Sequence, residues 1–212
     1  MFEDRVAAGR RLARALEKFR GENVVVLGIP RGGVLVAAEV AQALGAPLDV
    51  IIPRKLGAPG NEELAIGAVA GEGQVIINEQ LVASLGVPPA YIDAQVNRQL
   101  EEIRRRRRLY LGDETRAAGV GNKIALIVDD GLATGYTALA AIQAVKAQNP
   151  AKTVLAVPVA PPETAARLAQ EVDELVCLST PEAFFAVGQF YSEFHQVTDE
   201  EVVTRLREFR AA

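Results

Sequence analysis

The chain has 212 residues, half of them apolar, and a formal net charge of −4. This length and composition suit one domain with a sizeable core, and the mild negative charge argues against a general nucleic-acid binder. One cysteine excludes an internal disulfide, and no apolar run approaches the length of a membrane span. We therefore expect a single cytoplasmic domain over residues 1–212 that contacts neither nucleic acid nor a membrane.

Apolar periodicity predicts alternating helices and strands in the first third of the chain. In chain order these are a helix over 4–20, a strand over 23–28, a helix over 34–44 and a strand over 47–54. Residues 56–63 contain two glycines, a proline and an asparagine, which predicts a loop. Two short strands are expected after it, over 64–70 and 74–78.

The remainder of the chain continues the alternation. Two helices are expected over 79–110 with a break at 86–89, then a strand over 123–128, a helix over 135–148, a strand over 153–159, a helix over 163–171, a strand over 174–178 and a last helix that starts near 198–201. Such alternation predicts an α/β fold with a mostly parallel, doubly wound sheet. The segment 79–118 lengthens one connection and is predicted to be a helical insertion.

Two adjacent acids follow the apolar run 125–128. Asp129 and Asp130 should therefore lie at the carboxyl end of a buried strand, where open α/β sheets bind ligands. A buried pair of carboxylates without partners is costly, so we expect both side chains to face solvent or a ligand. Together they could accept hydrogen bonds from neighbouring hydroxyls of a ribose, and a solvated turn is the alternative.

A short loop connects these acids to the next predicted helix. Thr134, Gly135 and Thr137 stand at its start, where the first backbone N–H groups lack partners within the helix. Such a helix start binds anions, although an ordinary threonine N-cap would also explain the pattern. The segment thus offers acids for hydroxyls and amides for a phosphate.

The whole stretch 125–137 resembles the 5-phosphoribosyl 1-diphosphate (PRPP) motif of type I phosphoribosyltransferases. The resemblance implies that family's doubly wound sheet, with residues 180–212 as a small C-terminal hood. It also implies a pentosyltransferase, a glycosyltransferase that moves the 5-phosphoribosyl group from PRPP to a nitrogen acceptor and releases pyrophosphate. A homodimer is implied too, with Mg²⁺ held through PRPP and water rather than by direct protein ligands. The PRPP-binding residues would be Asp129, Asp130, Gly131, Leu132, Ala133, Thr134, Gly135, Tyr136 and Thr137.

A second family feature is the loop after the first strand. Pro30, Arg31, Gly32 and Gly33 resemble the pyrophosphate loop, in which a basic residue precedes glycine. An arginine fork suits phosphate oxygens. The resemblance also implies a strained peptide bond near residues 30–32, whereas a simple turn with a solvated arginine is the alternative.

The pair Arg54 and Lys55 resembles basic residues that precede a mobile catalytic loop in family members acting on adenine or orotate. In that role they would assist the departure of pyrophosphate across a dimer interface, with 56–63 as a lid. The lid is short and has no basic residue beyond Lys55, and a solvated strand end is equally compatible with the sequence. A non-catalytic protein that binds PRPP or nucleotides and regulates is therefore the alternative function.

One position bears on the identity of the acceptor. Ala133 stands where hypoxanthine-type members have an aspartate, which argues against hypoxanthine and guanine.

The five arginines 104–108 favour a solvated helix with Glu101–Arg105 and Glu102–Arg106 pairs over a nucleic-acid or partner surface. The aromatic residues of 184–194 either cover the sugar site or pack in a core or dimer seam, and a structural role is expected for His195.

Overall fold

A computed structural model describes residues 1–71, 73–112 and 119–209. The strands are β1 (Val24–Gly28), β2 (Leu48–Val50), β3 (Arg54–Ala58), β4 (Asn61–Ala70), β5 (Gln74–Ile77), β6 (Ile124–Val128), β7 (Lys152–Val159) and β8 (Glu174–Ser179). The central sheet has five parallel strands in the order β2-β1-β6-β7-β8, and a separate three-stranded antiparallel sheet has the order β3-β4-β5. The helices are α1 (Arg5–Ala15), α2 (Gly32–Leu44), α3 (Glu79–Leu85), α4 (Pro89–Leu111), α5 (Tyr136–Lys146), α6 (Pro162–Ala169) and α7 (Asp199–Glu208).

Both faces of the parallel sheet are covered by helices. Val25 and Leu27 of β1 belong to the apolar cluster that contains the inner sides of α5 and α6. Val24 and Val26 point the other way, into the cluster formed with α1 and α2. Successive residues of a strand face opposite sides of a sheet, so a continuous apolar strand is what two buried faces require. The predicted mostly parallel, doubly wound sheet is confirmed.

The predicted loop over 56–63 is wrong. Residues 54–58 form β3, which pairs antiparallel with β4, and only residues 59 and 60 remain for the turn. The glycine and proline content misled the prediction because Gly57 lies at an irregularity in the pairing and Pro59 and Gly60 make a tight hairpin turn. The strand predicted over 47–54 is also too long, since β2 ends at Val50 and Arg54 begins the next sheet.

The predicted insertion contains the two expected helices, α3 and α4, although its residues 113–118 lie outside the described chain. The inner side of α4 packs with β3, β4, α2 and α7 in a third apolar cluster. Its arginine run is partly paired: Glu102 contacts both Arg105 and Arg106 at 2.7 Å. The expected Glu102–Arg106 pair is therefore present, whereas Arg105 pairs with Glu102 instead of Glu101.

The C-terminal segment lies against the N-terminus. Phe2 donates its backbone N–H to the carbonyl of Phe190, and Ser192 donates to the carbonyl of Phe2. A capping box of Thr198 and Glu201 starts α7 as predicted. Residues 210–212 of the predicted hood are not described. Within the described ranges, no helix has the length and apolar character needed to cross a membrane.

Candidate active site

The acid pair lies at the carboxyl edge of the central sheet. Asp129 and Asp130 directly follow β6, which is hydrogen-bonded to β1 on one side and to β7 on the other. The Oδ1 atom of Asp129 accepts a hydrogen bond from the backbone N–H of Asp130 at 2.8 Å. Two carboxylates are therefore held side by side in the middle of the sheet edge.

Close confinement alters the protonation of this pair. Burial, and then the charge of Asp130, raises the pKa of Asp129 well above its usual range. The backbone hydrogen bond from Asp130 and the charge of Arg5 oppose this increase but do not cancel it. The ionised form of Asp129 is thus unfavourable in the folded chain, and a proton or a hydrogen bond from a ligand would stabilise this side chain.

Two residues distant in sequence hold Asp130. The Nε atom of Arg5 donates to its Oδ2 atom at 2.7 Å, and both side chains are nearly buried, 7% and 16% exposed. The hydroxyl of Tyr191 donates to the backbone carbonyl of Asp130 at 2.5 Å. Arg5 was missed by sequence reasoning because 125 positions separate it from Asp130, and helical spacing in α1 gave no sign of it.

The predicted pyrophosphate loop touches the acids. A Cβ atom built on Gly32 would lie 1.9 Å from Oδ2 of Asp130, and one on Gly33 would lie 2.8 Å from Oδ1 of Asp129. The peptide bond between Pro30 and Arg31 is cis, at the position where the resemblance implies an unusual bond. Arg31 lines a cleft with Gly32, Arg5 and the segment 194–197.

The loop 131–135 is fixed from behind by α6. Thr164 donates its hydroxyl to the carbonyl of Ala133 at 2.8 Å, and the guanidinium of Arg167 donates to the carbonyl of Thr134. In a trans peptide the N–H points opposite to the C=O. The amides of Thr134 and Gly135 therefore point away from α6, toward the open side of the loop.

Gly135 is required by this geometry. Its φ of 75° lies in the left-handed region, and an added Cβ atom would approach Cγ2 of Thr164 to 2.8 Å and Cδ1 of Leu168 to 2.9 Å. Immediately after it, α5 begins at Tyr136. No residue in the described chain accepts a hydrogen bond from the amides of 134–137, so the helix start is available to an anion.

The pair Arg54 and Lys55 lies in a different environment. Arg54 begins β3 and donates from Nε to Oε1 of Gln99 on α4 at 3.0 Å. Burial, and then the charge of Arg106, lowers the pKa of Arg54. Lys55 is exposed. The described contacts of Arg54 are thus with α4 and not with the carboxyl edge of β6.

The aromatic segment 184–194 packs mainly with itself and with the N-terminus. Ring centroids of Phe184 and Phe190 are 4.9 Å apart, and Tyr191 is 5.4 Å from Phe2 and 4.9 Å from Phe194. Phe185 is 91% exposed. This packing supports the core interpretation for most of these rings.

His195 has a structural contact, as expected. Its Nε2 atom lies 3.0 Å from Oε1 of Glu201 near the start of α7. No group of three or more His, Cys, Asp or Glu side chains among the described residues could hold a metal ion.

The parallel sheet with helices on both faces and a pair of acids at its carboxyl edge defines a doubly wound α/β protein, a class that binds ligands at that edge, and comparison with known proteins specifies the family. The chain matches the phosphoribosyl transferase domain over residues 3–195. It belongs to that family. A protein of Mycobacterium tuberculosis, provisionally named a phosphoribosyl transferase, is 49% identical over 206 residues, which cover 97% of this chain and 46% of the relative. The chain thus spans about half the length of the curated relatives it matches.

One solved structure has the same fold: TT1426 from Thermus thermophilus is 42% identical to this chain, the match covers 98% of each chain, and the TM-score is 0.83. A purine phosphoribosyltransferase from Pyrococcus horikoshii is also matched, at 20% identity over 90% of each chain, with a TM-score of 0.48.

Proposed function

We propose that this chain transfers the 5-phosphoribosyl group from PRPP to a nitrogen acceptor, of the nucleobase class, and releases pyrophosphate. One observation carries the proposal: a confined pair of carboxylates and a helix start with unpartnered amides stand at opposite ends of one five-residue loop, 131–135. A ribose with a 5-phosphate presents hydroxyls to the first group and a phosphate to the second. Membership of the phosphoribosyl transferase domain family supports the same activity.

The donor sugar would bind along residues 129–137. Asp129 and Asp130 would accept hydrogen bonds from the ribose hydroxyls, while the amides and hydroxyls of 134–137 would receive the 5-phosphate. When the bond to pyrophosphate breaks, positive charge develops on the sugar ring. Two nearby carboxylates favour that charge electrostatically, and the raised pKa of Asp129 indicates that the site gains from such a partner.

Pyrophosphate would be held by the loop of Pro30, Arg31, Gly32 and Gly33. This role is supported by the contact between that loop and the acids, and by the cleft that Arg31 lines. Mg²⁺ keeps several of its waters and binds substrate phosphates, so it would be held through PRPP and water rather than by direct protein ligands. The ion would neutralise charge on the leaving pyrophosphate.

Arg54 and Lys55 would assist that departure. The guanidinium of Arg54 donates to Gln99 on α4, Lys55 is exposed, and the pair would act on the site of a second copy in a homodimer. A cytoplasmic location remains a prediction from the composition.

A panel of free nucleobases and other nitrogen acceptors, assayed for pyrophosphate release with PRPP and Mg²⁺, tests the reaction. Turnover of one acceptor, lost in the Asp129→Asn variant, is the expected result. The tight β3–β4 hairpin in place of a long lid favours a second candidate, a regulatory protein that binds PRPP without turnover. Binding of PRPP with no release on any acceptor would favour that candidate and contradict the first.

A further inference from the structure

We propose that Arg5 is a positioning residue of the donor site: it fixes the carboxylate of Asp130 and attaches the 191–195 segment to that same carboxylate. The inference rests on the proposed function, since it concerns how the sugar site is assembled. Arg5 belongs to α1, far from the PRPP motif in sequence, and no motif predicts it.

The contacts of Arg5 extend in two directions. Its Nε atom donates to Oδ2 of Asp130 at 2.7 Å, and its Nη1 atom donates to the backbone carbonyl of His195 at 3.0 Å. The guanidinium carbon lies 3.8 Å from the ring centroid of Phe194. One buried cation therefore joins the sugar-binding acid to the C-terminal segment through two hydrogen bonds and a cation–π contact.

The position of Arg5 is itself fixed by the fold. Asp4 caps α1 by accepting from the N–H of Ala7 at 2.7 Å. Just before it, Phe2 and Glu3 pair with residues 190–193 through backbone hydrogen bonds. These contacts hold the start of α1 in place, and with it the backbone of Arg5.

The backbone of Gly32 packs closely against the ion pair. Gly32 lies so close that an added Cβ atom would be 1.9 Å from Oδ2 of Asp130 and 2.7 Å from Nε of Arg5. Burial keeps Tyr191 protonated by raising its pKa, so its hydroxyl remains a donor to the Asp130 carbonyl. Asp130 is therefore held through both its side chain and its main chain.

The positive charge of Arg5 should favour the binding of PRPP. PRPP is a polyanion, and two bare carboxylates would repel it. Arg5 offsets negative charge of the acid pair without removing either carboxyl group, so the pair can still accept hydrogen bonds from hydroxyls. A buried carboxylate that loses its cation is strongly destabilised, so without Arg5 the side chain of Asp130 should move.

Calorimetry with PRPP and Mg²⁺ tests the inference on the full chain. Arg5→Met should weaken PRPP binding at least about tenfold, and Arg5→Lys, which restores the charge and one donor, should recover most of that loss. Arg10→Met is the matched control: Arg10 lies on the same helix and pairs with a carboxylate, Glu39, at 3.1 Å, and its loss should change PRPP affinity less than about twofold. Thermal unfolding verifies that each variant is folded, and Arg5→Gln replaces Arg5→Met if the latter is not.

The outcomes separate the two proposals. If the wild-type chain binds PRPP and Arg5→Met binds equally well, the positioning role is overturned while the proposed function stands. The same holds if Arg5→Lys is as weak as Arg5→Met, or if Arg10→Met loses as much affinity. If the wild-type chain binds no PRPP, the proposed function fails and this inference fails with it.

Discussion

Asp129 is an acidic residue whose negative charge would be poorly solvated in the folded chain. Its pKa is raised by burial and by Asp130, so the folded chain binds this proton more tightly than the unfolded chain does. The resulting stabilisation is complete below the unfolded pKa, about 4, and is lost as pH rises through the higher folded pKa. Above the folded pKa the ionised group is therefore a cost to folding, and the proposed function gives a reason for it.

Replacing Asp129 by asparagine should remove that cost. We expect Asp129→Asn to raise the Tm at pH 7.5 by roughly 2–4 °C, which corresponds to about 1 kcal/mol for a chain of this size, and the gain should disappear below about pH 4. Asp93→Asn, at an exposed position of α4, should leave the Tm nearly unchanged. A lower Tm for Asp129→Asn at pH 7.5 would show that the charge is well compensated in the folded state.

Replacement of Gly135 by alanine tests the proposed role of the loop 131–135 in binding phosphate. Gly135→Ala and Gly21→Ala both place alanine at positive φ, 75° and 82°, and the backbone strain alone should cost each about 1–2 kcal/mol of unfolding free energy in urea. Only at Gly135 does the new Cβ atom collide, with Thr164 and Leu168, whereas nothing lies within 4 Å at Gly21. Only Gly135→Ala should therefore lose PRPP affinity, and equal affinity in the two variants would contradict the assignment of this loop.

At residue scale, sequence reasoning locates features that are contiguous in the chain: the two acids do follow a strand, and the loop after them does lead into a helix. The acids, the loop and the helix start lie within thirteen consecutive residues, so their composition alone indicates where they fold. Arg5 and Tyr191 could not be found in this way because their contacts with Asp130 are set by how α1 and the C-terminal segment meet. Local patterns carry no information about such long-range contacts.

At the scale of elements, the N-terminal residues pack against the C-terminal segment 190–193. Phe2 is buried, forms a parallel bridge with Tyr191 and packs against its ring. Phe2→Ala should cost about 3 kcal/mol in urea unfolding and weaken PRPP binding, because the start of α1 then loses its support. Phe185→Ala removes the same ring from a 91% exposed position and should change neither quantity. If Phe2→Ala leaves the PRPP affinity unchanged, the packing of Phe2 against the C-terminal segment does not support PRPP binding, and the prediction is wrong.

Element prediction was accurate for the parallel sheet and weaker between β2 and β6. Long apolar strands such as β6 and β7 are unambiguous because both of their faces are buried. The β3–β4 hairpin was missed because its turn and its irregular pair contain the glycines and proline that usually indicate a loop. Tertiary pairing with β5 and packing against α4 stabilise a segment whose local composition does not favour a strand.

At the scale of the whole molecule, the predicted homodimer would explain why Lys55 is exposed although a catalytic role is proposed for it. Mixing two inactive variants, Asp129→Asn and Lys55→Ala, tests this directly. If Lys55 serves the site of the partner, a hybrid dimer contains one intact site, and up to about a quarter of wild-type turnover should return once subunits exchange; each variant alone is the control. No recovery, with exchange verified by mass measurement, would place the role of Lys55 within its own subunit or remove it.

The central claim is that the carboxyl edge of β6 and the start of α5 together bind a phosphorylated ribose. Calorimetry with PRPP and Mg²⁺ measures this most directly. We predict one site per chain with a Kd between about 1 μM and 1 mM, in the range of typical substrate affinities, and loss of binding in the Asp129→Asn, Asp130→Asn double variant. An absence of heat at millimolar PRPP, or full binding by the double variant, would contradict the account.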